Sequence, residues 1–273
     1  MPKITDENYQ IKTVHATEWH DVFSSGTTEP MLIWAMDAES GERDSYVIKP
    51  FGHPRIYPQA VMKECLGAWI ALELRLNAFE PVYIDVSTDF VETLRGNQYY
   101  KRFIESVGVN FGTRYVPGTT QIVGKNCLTN IQSSQAEKVT SFDLFISNGD
   151  RRKEKPNLVL VQNDLFVFDH ELAFDFLMML SFTRNPRPWE LGDWELKMLR
   201  NHFLYPKIQG TQVDVTDFIE RFTQLDDKFW AKASEQLPAN WRSDDLTTIK
   251  NHLALIVENR TIFAQQLAQA ILA

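Results

Sequence analysis

Apolar and polar positions follow two periods along this chain, and the dominant period changes near its middle. Residues 9–16 alternate loosely and predict a first strand, which residues 19–23 continue. A small-residue turn, residues 24–30 (SSGTTEP), leads to the apolar run Met31–Met36. The polar stretch Asp37–Asp44, with Gly41, turns the chain back into Tyr46–Lys49, so the two runs predict a hairpin. From Pro58 to Leu76 the period lengthens. Val61, Cys65, Trp69, Leu72 and Leu76 recur at helical spacing, and Pro58 suits a first turn. Pro81–Val86 reads as a strand, and Asp89–Arg95 and Tyr99–Val107 as short helices. Residues 110–123 mix strand and loop; Gly112, Pro117 and Gly118 mark them as a connection between two lobes. Helical spacing then dominates: Val139, Phe142 and Ile146 share one face of a helix over residues 132–147. Further helices are expected at Trp189–Asn201, Asp217–Phe222 and Asp226–Glu235, with one long helix at Leu246–Ile271.

One stretch interrupts the helical half. Residues 142–174 read FDLFISNGDRRKEKPNLVLVQNDLFVFDHELAF. The runs Leu158–Val161 and Leu165–Phe168 predict a hairpin joined by Gln162, Asn163 and Asp164. Asn157 opens it and Asp169 closes it. Opposed antiparallel backbones lie ~5 Å apart, so Asn157 and Asp169 are expected side by side, with Asp150 delivered beside them. Two carboxylates and an amide make an oxygen-rich set that suits Mg²⁺ completed by phosphates and water. Asp and Asn also favour strand ends simply because their side chains bond local backbone.

Two residues of the first half join this picture. Lys49 ends an apolar strand, where nucleotide phosphates would suit its ammonium; an edge lysine with its head in water is the alternative. Glu64, beside the apolar helix face, is placed to reach Lys49 or to be solvated.

Composition narrows the function classes. The 273 residues allow one large domain or two lobes, and a formal net charge of −8 without a basic stripe argues against a nucleic-acid partner. The two cysteines, Cys65 and Cys127, have no metal-type spacing and suit a reducing, cytoplasmic setting. No apolar run approaches the length of a membrane span.

Taken together, these residues resemble the HipA-like kinases, a prokaryotic group with a protein kinase-like fold. The resemblance rests on the Gly26–Pro30 turn, YVIK ending at Lys49, and Lys63-Glu64 opening LGAWIALEL. It continues through SNGDR with Asp150-Arg151, PNLVL with Asn157, FDHELAF with Asp169-His170, and LPANW at 237–241. It implies an α+β, bilobal fold: residues 1–123 as a strand-rich N-lobe and 124–273 as a mainly helical C-lobe, together one domain. It further implies an ATP- and Mg²⁺-dependent phosphotransferase. Asp150 would be the catalytic base, and Asn157 and Asp169 the metal ligands. Lys49 and its partner Glu64 would hold the nucleotide phosphates, covered by Gly26 and Thr27. The acceptor would be a hydroxyl of a protein serine or threonine, or of a small molecule. An antitoxin-like protein is the partner that the family suggests.

The chain departs from that pattern in two places. The phosphate turn has a single glycine. The loop from Asp150 to Asn157 is two residues longer than the common DxxxxN spacing, which puts Lys155 where the amide would stand. A kinase-shaped binding module without turnover is therefore the second reading. The basic residues Arg151, Arg152, Lys153 and Lys155 are expected as a solvated loop, with offsetting the γ-phosphate or meeting an acidic substrate as the alternative.

Overall fold

In the computed structural model, which describes residues 2–273 apart from 24–26, 123–127, 130 and 181, strands dominate the N-terminal region and helices the C-terminal region. Gly26, Cys127 and the expected lobe boundary at 123/124 lie outside the described residues.

The first strands are β1 (Lys12–Val22), β2 (Met31–Asp37) and β3 (Arg43–Lys49), followed later by β5 (Pro81–Val86) and β6 (Gly108–Arg114). They pair in the order β1-β2-β3-β6-β5, and a parallel β5–β1 ladder closes the barrel. Every second residue points inward: Val14 and Ala16, Ile33 and Ala35, Tyr46 and Ile48, Val82, Ile84 and Val86 form its core. Gly112 of β6 permits the closure, since a Cβ there would come within 2.6 Å of the Val47 carbonyl oxygen and run into Ile84.

Helix α1 (Pro58–Glu73) departs from its sequence pattern. One apolar face was expected, yet every residue from Ala60 to Glu73 is buried, including Lys63 and Glu64. A helix enclosed on all sides needs partners all round. They are the strand β4 (Asn77–Ala78), β5 and the short 3-10 turn Ala239–Trp241. The helix stops before Leu76 because Arg75 adopts a φ of 61°, and Leu76 N–H closes onto the Ala71 carbonyl at 2.8 Å. That reversal launches β4, which runs parallel to β9 (Asp164–Val167). So α1 is tied through β4 to the hairpin of β8 (Leu158–Val161) and β9.

This hairpin differs from expectation by one residue. Val161 pairs with Asp164, leaving a two-residue turn of Gln162 and Asn163, with Gln162 at φ 58°. Asn157 therefore faces Phe168, whose N–H donates to the Asn157 carbonyl at 3.4 Å, and Asp169 falls one residue beyond the ladder. The short strand β7 (Thr120–Gln121) completes this second sheet in the order β4-β9-β8-β7. Short helices α2 (Thr88–Thr93) and α3 (Tyr100–Ile104) follow β5.

The helical region contains α4 (Ser133–Phe145), α5 (Asp193–Asn201), α6 (Tyr205–Ile208), α7 (Thr216–Glu220), α8 (Asp227–Gln236), α9 (Asp245–Glu258) and α10 (Arg260–Leu272). The expected single terminal helix is divided at Asn259, whose φ of −110° and ψ of 23° leave the helical region. The break lets Ile249, Leu253 and Ile256 on one side, and Phe263, Leu267 and Ile271 on the other, reach one core. Among the described residues no helix is long and apolar enough to cross a membrane.

Candidate active site

Between the barrel and the β8–β9 hairpin lies a cleft of about 370 Å³. Its walls are apolar: Pro30, Val47, Phe111, Val116, Ile122 and Leu158 among others. Its inner end is polar, with the charged side chains Lys49, Glu64, Lys155 and Asp169 and the amide of Asn157. An apolar slot ending in a few convergent charges is the common form of a small-ligand site.

Strand β3 delivers Lys49 to this end, where it is buried rather than in water. Its Nζ lies 2.6 Å from Glu64 Oε1, 2.6 Å from Asp169 Oδ1 and 3.3 Å from Glu171 Oε2. Three carboxylates around one ammonium leave excess negative charge. Burial pushes the Glu64 carboxyl up to about 7, with Asp169 and Glu171 adding to it against the pull of Lys49. Asp169, although buried, is held far below the carboxylate range by Lys49 and Lys155. The second Glu64 oxygen accepts the His170 backbone N–H.

Asp150 sits on the loop after α4, and this loop is anchored from below. Arg151 is fully buried. Its Nε donates to Asp143 Oδ2 at 2.5 Å, and its Nη1 to the Asn157 carbonyl and, at 3.4 Å, to that of Phe168. Asp143 also contacts His202 Nε2 at 2.9 Å and accepts from Asn148 Nδ2 at 2.8 Å. Asp143 stays ionised, at about 2, because Arg151 and His202 outweigh the cost of its burial. The expectation of a solvated basic loop is thus wrong for Arg151, which ties the Asp150 loop to both ends of the hairpin. The sequence signal was available: Asp143 and Asn148 flank the end of α4, within reach of Arg151. Arg152 and Lys153 are exposed as expected.

Asn157 and Asp169 both take left-handed backbone, at φ 49° and 61°, which Asn and Asp tolerate better than most residues. Asn157 Nδ2 donates to Asp150 Oδ2 at 3.3 Å. Asn157 is therefore beside Asp150, and the link from Asp150 to Asp169 is made by another residue: Lys155 Nζ lies 2.8 Å from Asp150 Oδ2 and 3.0 Å from Asp169 Oδ2. Burial pulls the Lys155 ammonium down, but the two carboxylates outweigh it and raise it. Thr27 is exposed, and its neighbour Thr28 forms part of the cleft wall instead. His170 is a packed residue, its ring edge-on to Phe142 and its side chain against Gly67. Burial lowers it to about 3, so it is neutral.

The fit to a divalent ion follows from these contacts. Both Asp169 oxygens are taken by lysines, and the position between Asp150 and Asp169 holds an ammonium. Among the described residues no group of three or more His, Cys, Asp or Glu side chains is arranged to hold a metal. These residues, as they stand, do not fit Mg²⁺ between the two carboxylates.

Among solved structures the similarities are weak. The Helicobacter pylori proinflammatory kinase CtkA is 11% identical, with 96% of this chain and 99% of that chain covered at a TM-score of 0.44. A mutant of the Neurospora crassa PAN3 pseudokinase is 10% identical, with 94% and 67% covered at 0.32. No curated protein matches the sequence. Residues 17–185, more than half of the chain and inclusive of Lys49, Glu64, Asp150, Asn157 and Asp169, match the HipA-like kinase family. This chain belongs to the HipA-like kinase family.

Proposed function

We propose that the chain is an ATP-dependent phosphotransferase that moves the γ-phosphoryl group to a hydroxyl, with serine or threonine of a protein as the acceptor class. The observation that carries this reading is Lys49, fixed by Glu64 at the charged end of an apolar cleft, with Asp150 close behind. In this reading the adenine occupies the apolar walls and the phosphates reach Lys49, under a cover that includes Thr28. Residues 1–123 supply that cover and residues 124–273 the reacting loop, as one domain. Asp150 takes the acceptor's proton as its oxygen bonds to the γ-phosphorus, while the bond from phosphorus to the β–γ bridging oxygen breaks and ADP leaves. Catalysis of this kind is chiefly positioning and charge stabilisation.

A polypeptide acceptor is supported by the exposed apolar side chains Leu172, Met178, Leu180, Phe182 and Trp194. The first four lie within residues 172–182, whose Asp175 approaches Gly149 and accepts from Trp194 Nε1 at 3.2 Å. Contiguous exposed apolar surface marks interaction sites.

The test is phosphotransfer from labelled ATP with ATP affinity measured in parallel. Asp150→Ala should lower transfer by ~10²–10⁴-fold with affinity retained. Unchanged transfer would remove Asp150 as base. The second reading, a nucleotide-binding pseudokinase, is favoured by one contact: the Lys155 ammonium on the oxygen of Asp150 that would receive the proton. It predicts ATP binding with no transfer by the wild type.

A further inference from the structure

Lys155 is the one cation of the basic loop that reaches both Asp150 and Asp169. Its position is built in. Arg152 N–H donates to the Lys155 carbonyl at 3.2 Å and Lys155 N–H to that of Arg152 at 3.0 Å. Arg151 anchors the start of this narrow loop and Pro156 stiffens its exit. The side chain lines the cleft and is 21% exposed. An ammonium has three donors. Two are directed at Asp150 and Asp169, which leaves the third for a group in the cleft. Without that charge, Asp150 and Asp169 would repel each other and any triphosphate brought to Lys49.

We infer that Lys155 is the resident cation of this site. Its ammonium, held between Asp150 and Asp169, neutralises nucleotide phosphates where a divalent ion would otherwise stand, so the chain binds ATP as the free triphosphate. The inference rests on the nucleotide cleft proposed above. It also explains the fit found there: the carboxylates are already matched by fixed positive charge, and a divalent ion would have to displace it.

The experiment is titration calorimetry of ATP on the full chain, in excess EDTA and in millimolar Mg²⁺, for the wild type, Lys155→Asn and Lys155→Met. Circular dichroism checks that each is folded. The wild type should bind in EDTA, and more weakly in Mg²⁺, because millimolar Mg²⁺ holds most of the ATP as its magnesium complex and depletes the free triphosphate. Lys155→Asn removes the charge and supplies an amide oxygen. It should lose at least about tenfold in EDTA, and Mg²⁺ should restore it. Lys155→Met supplies neither and should stay weak in both buffers. A second readout is Mn²⁺ binding in the absence of nucleotide, expected for Lys155→Asn and not for the wild type. Wild-type binding that disappears in EDTA would overturn the inference while leaving the nucleotide cleft intact. So would variants whose affinities match the wild type in both buffers. Absence of ATP binding by every protein in both buffers would overturn the cleft reading and the inference with it.

Discussion

Arg151 shows how a single side chain changes its meaning once its surroundings are known. Within a run of basic residues it reads as solvent-facing, yet it is buried against Asp143 and two hairpin carbonyls. Removing one member of a buried ion pair leaves an uncompensated charge and typically costs ~3–5 kcal/mol. Arg151→Ala should therefore lower the unfolding free energy obtained from urea titration by an amount in that range, whereas Lys153→Ala, on the exposed part of the same loop, should change it by less than ~0.5 kcal/mol. Asp175 gives a pH-dependent case. Burial raises its carboxyl to about 6, and its Oδ1 has no hydrogen-bond partner among the described residues, although Oδ2 accepts from Trp194 Nε1 at 3.2 Å. The folded state thus holds this proton more tightly than the unfolded chain, where the ordinary value is 3.8. The resulting stabilisation is complete below that value and is lost as pH rises through about 6. Asp175→Asn should gain thermal stability relative to the wild type between pH 4 and pH 7.5, read as the difference in their melting temperatures.

At the level of elements, α1 and the β8–β9 hairpin define the site by how closely they approach. Gly67 makes that approach feasible: a Cβ there would lie 2.5 Å from His170 Cβ and 2.7 Å from its Cγ. Those atoms sit near the backbone and cannot swing away, so Gly67→Ala must move His170 and with it the Asp169 turn. The expected outcome is a loss of ~1–3 kcal/mol in stability, with weaker ATP binding through the displaced Lys49–Glu64–Asp169 contacts, checked by calorimetry. The hairpin itself was legible because alternation, bounded by Asn and Asp, has a clear period. Its register was not: Asp164 joins the ladder instead of the turn, and a one-residue change moved Asp169 off the pair with Asn157. The all-round burial of α1 was hidden too, since polar Lys63, Glu64 and Glu73 find their surroundings only in three dimensions. The division at Asn259 left no trace in a spacing that reads as continuous.

For the whole molecule, the division into a strand-rich first part and a helical second part was readable from the change of period, and the residues around the cleft came from motifs. Lys155 was visible only as an anomaly of spacing; its bridging of two acids depends on a loop shape that local sequence does not specify. A ligand that binds only the folded chain must stabilise it, by ~2.7 kcal/mol at a hundred times its Kd. If the cleft takes ATP, saturating ATP should raise the unfolding midpoint accordingly, and Lys49→Met should reduce that rise.

The segment before β1 crosses the molecule to the helical region. Ile4 is in the large core, Lys3 Nζ donates to Gln224 Oε1 at 2.7 Å, and Ile11 N–H donates to Gln236 Oε1 at 2.8 Å. During synthesis these early residues must wait for partners 225 positions later. At ~5–20 residues per second the wait is about 10–45 s, far longer than local collapse requires. The end of α8 thus acts as a latch on the segment before β1.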